Sequence, residues 1–400
     1  MFIKNSDILQ DQEEFSEALF ERMKSINAGI SELELYEFRY CLKDMVPGKG
    51  WETVQLEATN EIEARFSNRE FYDRIQIKPR VAGKIVLEAE IIRLAQMLFV
   101  GLVTGQYTAD WVTTHFFFDI RGFYFLHRTQ YFSGAIKAYL GGAPYRQFEQ
   151  KQRQFERWQD VGYKAFKEAN AEVDQLFIES VKKLIAVRGV PITIAIAGPT
   201  AAGKTEIVDR LTKAFGDTGK TTTSIELDNF LTDRDYREEK GIHSEGKEAL
   251  HFELLKQALQ DITQGTRISI PRYDFIEATS SHDLGGHLKP GRVPIVIEPA
   301  QIIFIEGNFP FLLEDIAPLV GIKSVYLTDD PIRLKRKWKR DIDYRKKYDF
   351  NYFRNRYFKD QFIMAEIAYR PQMEACDMIV DTTGAALWVT PEIKRILDGS

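Results

Sequence analysis

Four hundred residues, 44% hydrophobic and 28% charged, predict a protein of two domains, each large enough for its own core. A net charge of -5 argues against a molecule built throughout to bind polyanions, though a local basic patch stays open. Two cysteines far apart, Cys41 and Cys376, exclude a disulfide framework and a cysteine-rich zinc site. They fit buried thiols in a reducing cytosol.

The N-terminal run MFIKNSDILQDQEEF lacks the apolar core of a secretion signal. Residues 1–186 read as mostly helical. Ser6 is a candidate cap for a helix through Met23, with Phe15, Leu19, Phe20 and Met23 on one face. Ser31 and Glu34 fit a capping box before LYEFRYCL. MVPGKG reads as a loop and KIVLEAEIIRLAQMLFVGLV as a buried helix. Its most apolar part, MLFVGLV, is too short to span a bilayer, so a cytoplasmic protein is expected. The aromatic-rich segment from Trp111 to Phe132 reads as core, and GGAP at 141–144 interrupts the pattern. Phe155, Trp158, Phe166, Ala169, Val173, Leu176 and Leu184 then recur at helical spacing. They predict one long helix that joins the halves, packs within its own domain, or pairs with a second subunit, and Gly189 ends it. Residues 1–186 carry no motif with chemistry and no internal repeat, so their role is not legible.

After Gly189 the texture changes. ITIAIA (192–197), TTTSIEL (221–227), RISI (267–270), IIFIE (302–306), KSVYL (323–327) and MIVD (378–381) are candidate strands, most of them separated by helical patterns. Runs apolar on both faces predict a parallel sheet covered by helices on either side.

Between the first of these strands and the helix EIVDRLTKAF lies GPTAAGKT, or Gly198, Pro199, Thr200, Ala201, Ala202, Gly203, Lys204 and Thr205. It matches G-x-x-x-x-G-K-[ST], a loop whose main-chain amides cradle phosphates at a helix N-terminus. Lys204 would reach the terminal phosphates and Thr205 would hold Mg²⁺. Glu306, after IIFI, is the candidate second acidic group near that ion; a carboxylate capping the next turn is the alternative. Asp228 ends the second strand of this half, where residues face the ligand crevice of a doubly wound sheet. A carboxylate there can accept the proton of an attacking hydroxyl, or can simply cap a turn.

Five pieces, GPTAAGKT, SIELDNF, KEALHFELLKQALQDITQGTRISIPRYDF, IIFIEGNFPFL and VYLTDDPIRLKRKWKRDI, with RPQMEACDMIV after them, resemble the uridine kinase and phosphoribulokinase family of P-loop kinases. The resemblance covers residues 190–385. It implies an α/β fold, a P-loop kinase-type parallel sheet flanked by helices over 187–400, preceded by the mostly α-helical N-terminal domain. It implies a phosphotransferase that uses ATP and Mg²⁺ and phosphorylates a hydroxyl of a small molecule such as a nucleoside, a sugar or a sugar phosphate. Asp228 falls on the family's general base, Tyr273 on an aromatic lining the acceptor pocket, and the basic series on a lid over ATP. Two positions depart from the uridine kinases: His251 replaces an aspartate that grips the ribose diol, and Ala278 lies where a histidine touches the base. EALHF is closer to the phosphoribulokinase branch. Arg234 and Arg237, just after DNFLTD, are candidates for gripping an anionic acceptor, or form a solvated loop.

The segment 333–360 is rich in Lys and Arg, with aromatics interleaved. That composition suits nucleic-acid contacts as well as a lid; its place between two strands favours the lid. Arg336, Arg340 and Arg345 are the candidate contacts to the transferring phosphate. In related P-loop kinases the loop after this last strand lies near the base, so the resemblance makes Thr382 and Thr383 candidates near adenine; a plain turn is the equal alternative. Two other readings stand beside the kinase: a nucleic-acid-linked NTPase, and a non-catalytic nucleotide-gated interaction module with the helical half as its working surface, itself a candidate for homo-oligomer contacts.

Overall fold

The computed structural model describes residues 12–42, 51–68, 70, 89–120, 123–128, 155–160, 166–242, 246–328, 333, 335–337, 340–341, 345, 368–382 and 385–399. The chain forms two compact units. One joins residues 1–143 to 330–362; the other joins 144–329 to 363–400. Ser6, MVPGKG and GGAP lie outside the described residues.

The first unit contains helices α1 (Gln12–Ile26), α2 (Leu35–Leu42), α3 (Thr59–Phe66), α4 (Ala89–Thr104) and α5 (Ala109–His115). Phe15, Leu19, Phe20 and Met23 of α1 are all buried, as their spacing predicts. At the start of α2 the Glu37 carboxylate accepts from the Glu34 N–H at 2.7 Å. The reciprocal arm of a capping box thus comes from Glu37, one box later than the Ser31–Glu34 pair. Helix α4 is buried on nearly every side from Ile91 to Val103, so it is the central helix of this core. The aromatic run is core but not helix. Strands β1 (Phe116–Asp119) and β2 (Tyr124–His127) form an antiparallel hairpin with Phe118 opposite Phe125. Adjacent aromatics put rings on both faces of a ribbon, which suits a strand better than a helix with one apolar stripe.

The second unit is built on a sheet. Its elements run β3 (Glu156–Asp160), α6 (Phe166–Arg188), β4 (Ile192–Ala197), α7 (Lys204–Gly216), β5 (Thr222–Glu226), α8 (Arg234–Glu239), α9 (Phe252–Thr263), β6 (Ile268–Ile270), β7 (Tyr273–Asp274), β8 (Thr279–Ser280), β9 (Ile295–Ile297), β10 (Ile302–Gly307), β11 (Ile322–Leu327), α10 (Arg370–Ala375), β12 (Met378–Asp381), β13 (Ala386–Val389) and α11 (Pro391–Asp398). Among the described residues seven strands form one sheet in the order β3-β13-β12-β11-β4-β10-β5. The run from β12 to β5 is parallel; β13 and β3 are antiparallel additions at one edge.

Alternation along β4 explains the layering. Ile192, Ile194 and Ile196 face α6, α7 and α11, with Phe304, Met378 and Leu387. Ala195 and Ala197 face the opposite core, with α9, Ile303, Ile305 and Leu327. A strand buried on both sides needs helices on both faces, and that is what the sequence between the strands supplies.

Three expectations are corrected here. The long helix predicted across Phe155 to Leu184 is a strand followed by a helix. Glu156–Asp160 pairs with β13, and Trp158 donates from Nε1 to Asp398 at 2.8 Å. The open edge of β13 needs a partner, and that tertiary demand overrides a helical spacing resting on Phe155 and Trp158. Ile268–Ile270 is a strand but pairs with β9 outside the main sheet. Ala386–Val389, not among the candidate strands, returns antiparallel to β12. No described helix is long and apolar enough to cross a membrane.

Phe304 is fully buried in the sheet centre, while Val296 is 51% exposed. Phe304→Ala is expected to lower the unfolding free energy of this unit by about 3–5 kcal/mol. Val296→Ala should change it by less than about 0.5 kcal/mol. Urea titrations of the two variants check the difference.

Candidate active site

The phosphate loop spans β4 and α7. At Gly198 a Cβ would lie 2.3 Å from the Tyr326 carbonyl oxygen, so only glycine lets the chain pass β11. Ala201 and Gly203 take positive φ, 60° and 103°, which folds the loop back before Lys204 opens the helix. Thr328 secures it from β11, donating to the Ala202 carbonyl at 2.8 Å. Pro199 is buried and Thr200 half-buried. The start of a helix such as α7 offers main-chain N–H groups that suit an anion. The Lys204 ammonium donates to the carbonyls of Gly198 at 2.9 Å and Pro199 at 3.0 Å, with Asn308 Oδ1 at 3.4 Å. It is therefore held at the loop that the amides define.

Beside the loop, Thr205 donates to Glu306 Oε1 at 2.8 Å. Glu306 Oε2 is buried and accepts no hydrogen bond. Burial pushes the Glu306 carboxyl up to about 7 against the pull of Lys204 and Thr205, and Glu226 and Asp228 push it further. Glu226 stands opposite Glu306 in the β5–β10 register, and its carboxyl is raised by burial and by Asp228. Crowded carboxylates with an orphaned buried oxygen and a hydroxyl fit a divalent cation, which would supply the missing charge. Among the described residues no three His, Cys, Asp or Glu side chains form a ready metal cage. The donor set therefore fits Mg²⁺ completed by a ligand's phosphate oxygens.

Asp228 lies in a single turn, Leu227–Phe230, directly after β5. Gly307 admits this turn: a Cβ there would meet Leu227 Cβ at 2.8 Å. The next residue, Asn229, accepts from the Tyr273 N–H at 3.3 Å and so brings the β7–β8 hairpin to the Asp228 turn. Tyr273 is buried, and its hydroxyl accepts from Arg237 Nη2 at 3.2 Å. Arg237 is buried as well and also donates to the Thr232 carbonyl, which excludes the solvated-loop reading for this residue. Arg234 is half-buried, and its N–H donates to the Ala278 carbonyl at 2.9 Å. His251 Nε2 lies 3.1 Å from Ser280 Oγ, and its N–H donates to the Phe230 carbonyl at 2.8 Å. Burial and the neighbouring His282 hold the His251 ring down to about 4, so it is neutral near pH 7.

The structure thus gathers Gly198–Thr205, Glu306 and Asp228 at the carboxyl ends of β4, β10 and β5, with Tyr273, Arg237, His251 and Arg234 on elements packed beside Asp228. Arg336, Arg340 and Arg345 belong to the first unit. There Arg340 and Arg345 each lie 3.4 Å from Asp341 Oδ1. Most of 333–360 lies outside the described residues, as does Thr383. Thr382 is buried, and its hydroxyl donates to the Leu327 carbonyl at 2.8 Å and meets Thr328 at 2.7 Å. It is a strut between strand ends rather than a group facing a base. Sequence reasoning missed Thr328, Asn229, Asn308 and the Asp233–Lys289 pair, whose atoms lie 2.7 Å apart. The position of Asn308 two residues after Glu306 was a usable signal; the others depend on register that the sequence does not display.

A family model described as Phosphoribulokinase / Uridine kinase family matches residues 193–387. A uridine kinase of Brevibacillus brevis is 31% identical over 160 residues, 39% of this chain and 69% of that protein. A uridine kinase of Halobacterium salinarum is 29% identical over 152 residues, 37% of this chain and 62% of that protein. Among solved structures, D-glycerate 3-kinase from Cryptococcus neoformans covers 55% of this chain and 97% of its own at 12% identity, with a TM-score of 0.35.

The His251 ring, lowered from 6.5 to about 4, gives a stability contribution with a defined sign. The unfolded chain binds a proton below 6.5 and the folded one does not until about 4, so stability falls as pH drops through that window. His251→Gln should flatten that part of the profile. Thermal unfolding between pH 4 and pH 7, compared with the wild type, checks it.

Proposed function

This chain belongs to the phosphoribulokinase / uridine kinase family, and on that premise we propose that it is a small-molecule kinase moving the γ-phosphoryl of ATP to a hydroxyl. The observation that supports this most is a donor half and an acceptor half at neighbouring strand ends. Lys204, Thr205 and Glu306 form one, and Asp228 stands after β5, which pairs with β10. Ligands of open α/β sheets bind in that crevice.

In this reading the loop amides and Lys204 bind the phosphate tail and orient it. Mg²⁺, held by Thr205 and Glu306, would neutralise charge on the phosphate oxygens. Asp228 accepts the proton of the acceptor hydroxyl as its oxygen attacks phosphorus. Tyr273 and His251 line the acceptor side. Arg336, Arg340 and Arg345 are proposed, on the family resemblance, as donors to the transferring group.

The acceptor class proposed is a nucleoside, a sugar or a sugar phosphate. Arg237 favours an acceptor that carries negative charge. Its buried guanidinium meets a carbonyl, a hydroxyl and the Tyr273 ring at 5.6 Å. Among the described residues no carboxylate pairs with it. A buried cation lacking a counter-charge is unfavourable, and an anionic ligand group removes that penalty. His251, neutral at pH 7, offers no carboxylate to a ribose diol.

Asp228→Asn should lower kcat by roughly 10²–10⁴-fold and leave the Kd for ATP within about threefold. A variant that turns over at the wild-type rate removes Asp228 from the mechanism. Arg237→Gln should raise KM about tenfold or more for a sugar phosphate and leave KM for a neutral sugar or nucleoside unchanged. Both are measured by ADP release with Mg²⁺-ATP and a panel of nucleosides, sugars and sugar phosphates. No phosphorylated product from any of them would overturn the kinase reading.

A further inference from the structure

Helix α6 lies outside the residues that the family match covers. Its packing on the sheet is apolar: Val173, Phe177, Val181 and Leu184 are buried with Ile194, Ile207 and Leu211. Within that interface sits one carboxylate. Asp174 is 4% exposed. Its Oδ1 accepts from the Tyr326 hydroxyl at 2.5 Å, and its Oδ2 accepts from Arg210 Nη1.

The two donors stand on the two elements that hold the phosphate loop. Arg210 is on α7, about two turns after Lys204. Tyr326 is on β11, and its carbonyl oxygen is the atom against which Gly198 passes. Two residues further, Thr328 donates to the Ala202 carbonyl. One carboxylate thus links the helix that the loop enters to the strand that the loop lies on. Apolar packing between α6, α7 and the sheet is less directional than a hydrogen bond. Charge-assisted hydrogen bonds are directional and short, and they fix one spacing.

We propose that Asp174 is a positioning residue for the phosphate loop, acting through Arg210 and Tyr326. It holds the start of α7 at a set distance from β11, and so sets where the loop amides and Lys204 meet a phosphate tail. A helix outside the family-matched residues therefore tunes nucleotide affinity. The inference rests on reading Gly198–Thr205 as the nucleotide site.

The experiment uses the full chain and titrates Mg²⁺-ATP by equilibrium dialysis well below the unfolding temperature. Asp174→Asn keeps the shape and removes the charge; Tyr326→Phe keeps the ring and removes one hydrogen bond. Phe177→Leu, on the same helix, loosens its packing and leaves the link intact. The expected result is a Kd for ATP raised about tenfold in Asp174→Asn, equivalent to about 1.4 kcal/mol. A smaller rise is expected in Tyr326→Phe and none in Phe177→Leu, even where its thermal stability falls as far. Should Asp174→Asn fail to fold, Tyr326→Phe reads the same quantity. Affinities within about twofold of the wild type in every folded variant of the pair would overturn the proposal, as would an equal loss in Phe177→Leu. A wild-type chain that takes up no ATP would overturn the nucleotide reading itself and this inference with it.

Discussion

The phosphate loop depends on one close approach. Main chain at Gly198 runs against the carbonyl of Tyr326 with no room for a Cβ. That contact lets the segment after β4 stay low over the sheet edge, then turn through the positive φ of Ala201 and Gly203 into α7. Strand order produces the contact: β11 is the neighbour of β4 although more than a hundred residues separate them. The sheet fixes the loop, and the loop in turn fixes where a helix N-terminus and an ammonium can meet an anion.

Electrostatics give the two sides of the crevice different characters. On the donor side Glu306 and Glu226 stand opposite each other in the β5–β10 register, and burial raises both carboxyls. A divalent cation held there would offset that conflict. On the acceptor side the Asp233–Lys289 pair is self-compensating, His251 is neutral near pH 7, and among the described residues no carboxylate pairs with the buried Arg237.

The first unit has its own logic. Helix α4 is buried over most of its surface among α1, the hairpin β1–β2 and their aromatics, which gives this unit a core of its own. Residues 330–362 belong to it although they are inserted between two strands of the other unit. Lys335 lies 3.4 Å from Glu34 and 3.9 Å from Glu37, which joins that segment to α2. Contacts also carry Glu156–Asp160 and Phe166–Arg188 into the sheet-bearing unit, where the sequence texture placed them with the N-terminal half.

Much of the candidate site was legible because it is local. Gly198 to Thr205 is a contiguous pattern whose geometry follows from glycine's freedom and a helix start. ITIAIA, IIFIE and MIVD are apolar on both faces and therefore had to be central strands. Asp228 and Glu306 could be picked out because a strand end points at the crevice. What lay beyond reach was long-range. The pairing of Glu156–Asp160 with β13 is invisible to local periodicity, since a helical spacing of two aromatics also fits a strand. Thr382 looked available until the fold turned its hydroxyl onto the Leu327 carbonyl. Arg237 read equally as a grip for an anion or as part of a solvated loop until the β7–β8 hairpin covered it. Asp174 was one acid on an amphipathic helix until Arg210 and Tyr326 converged on it. Residue type and short spacing determined which groups could do chemistry; only strand order and packing decided which of them are buried, and against what, because burial is a property of neighbours that the chain brings from far away.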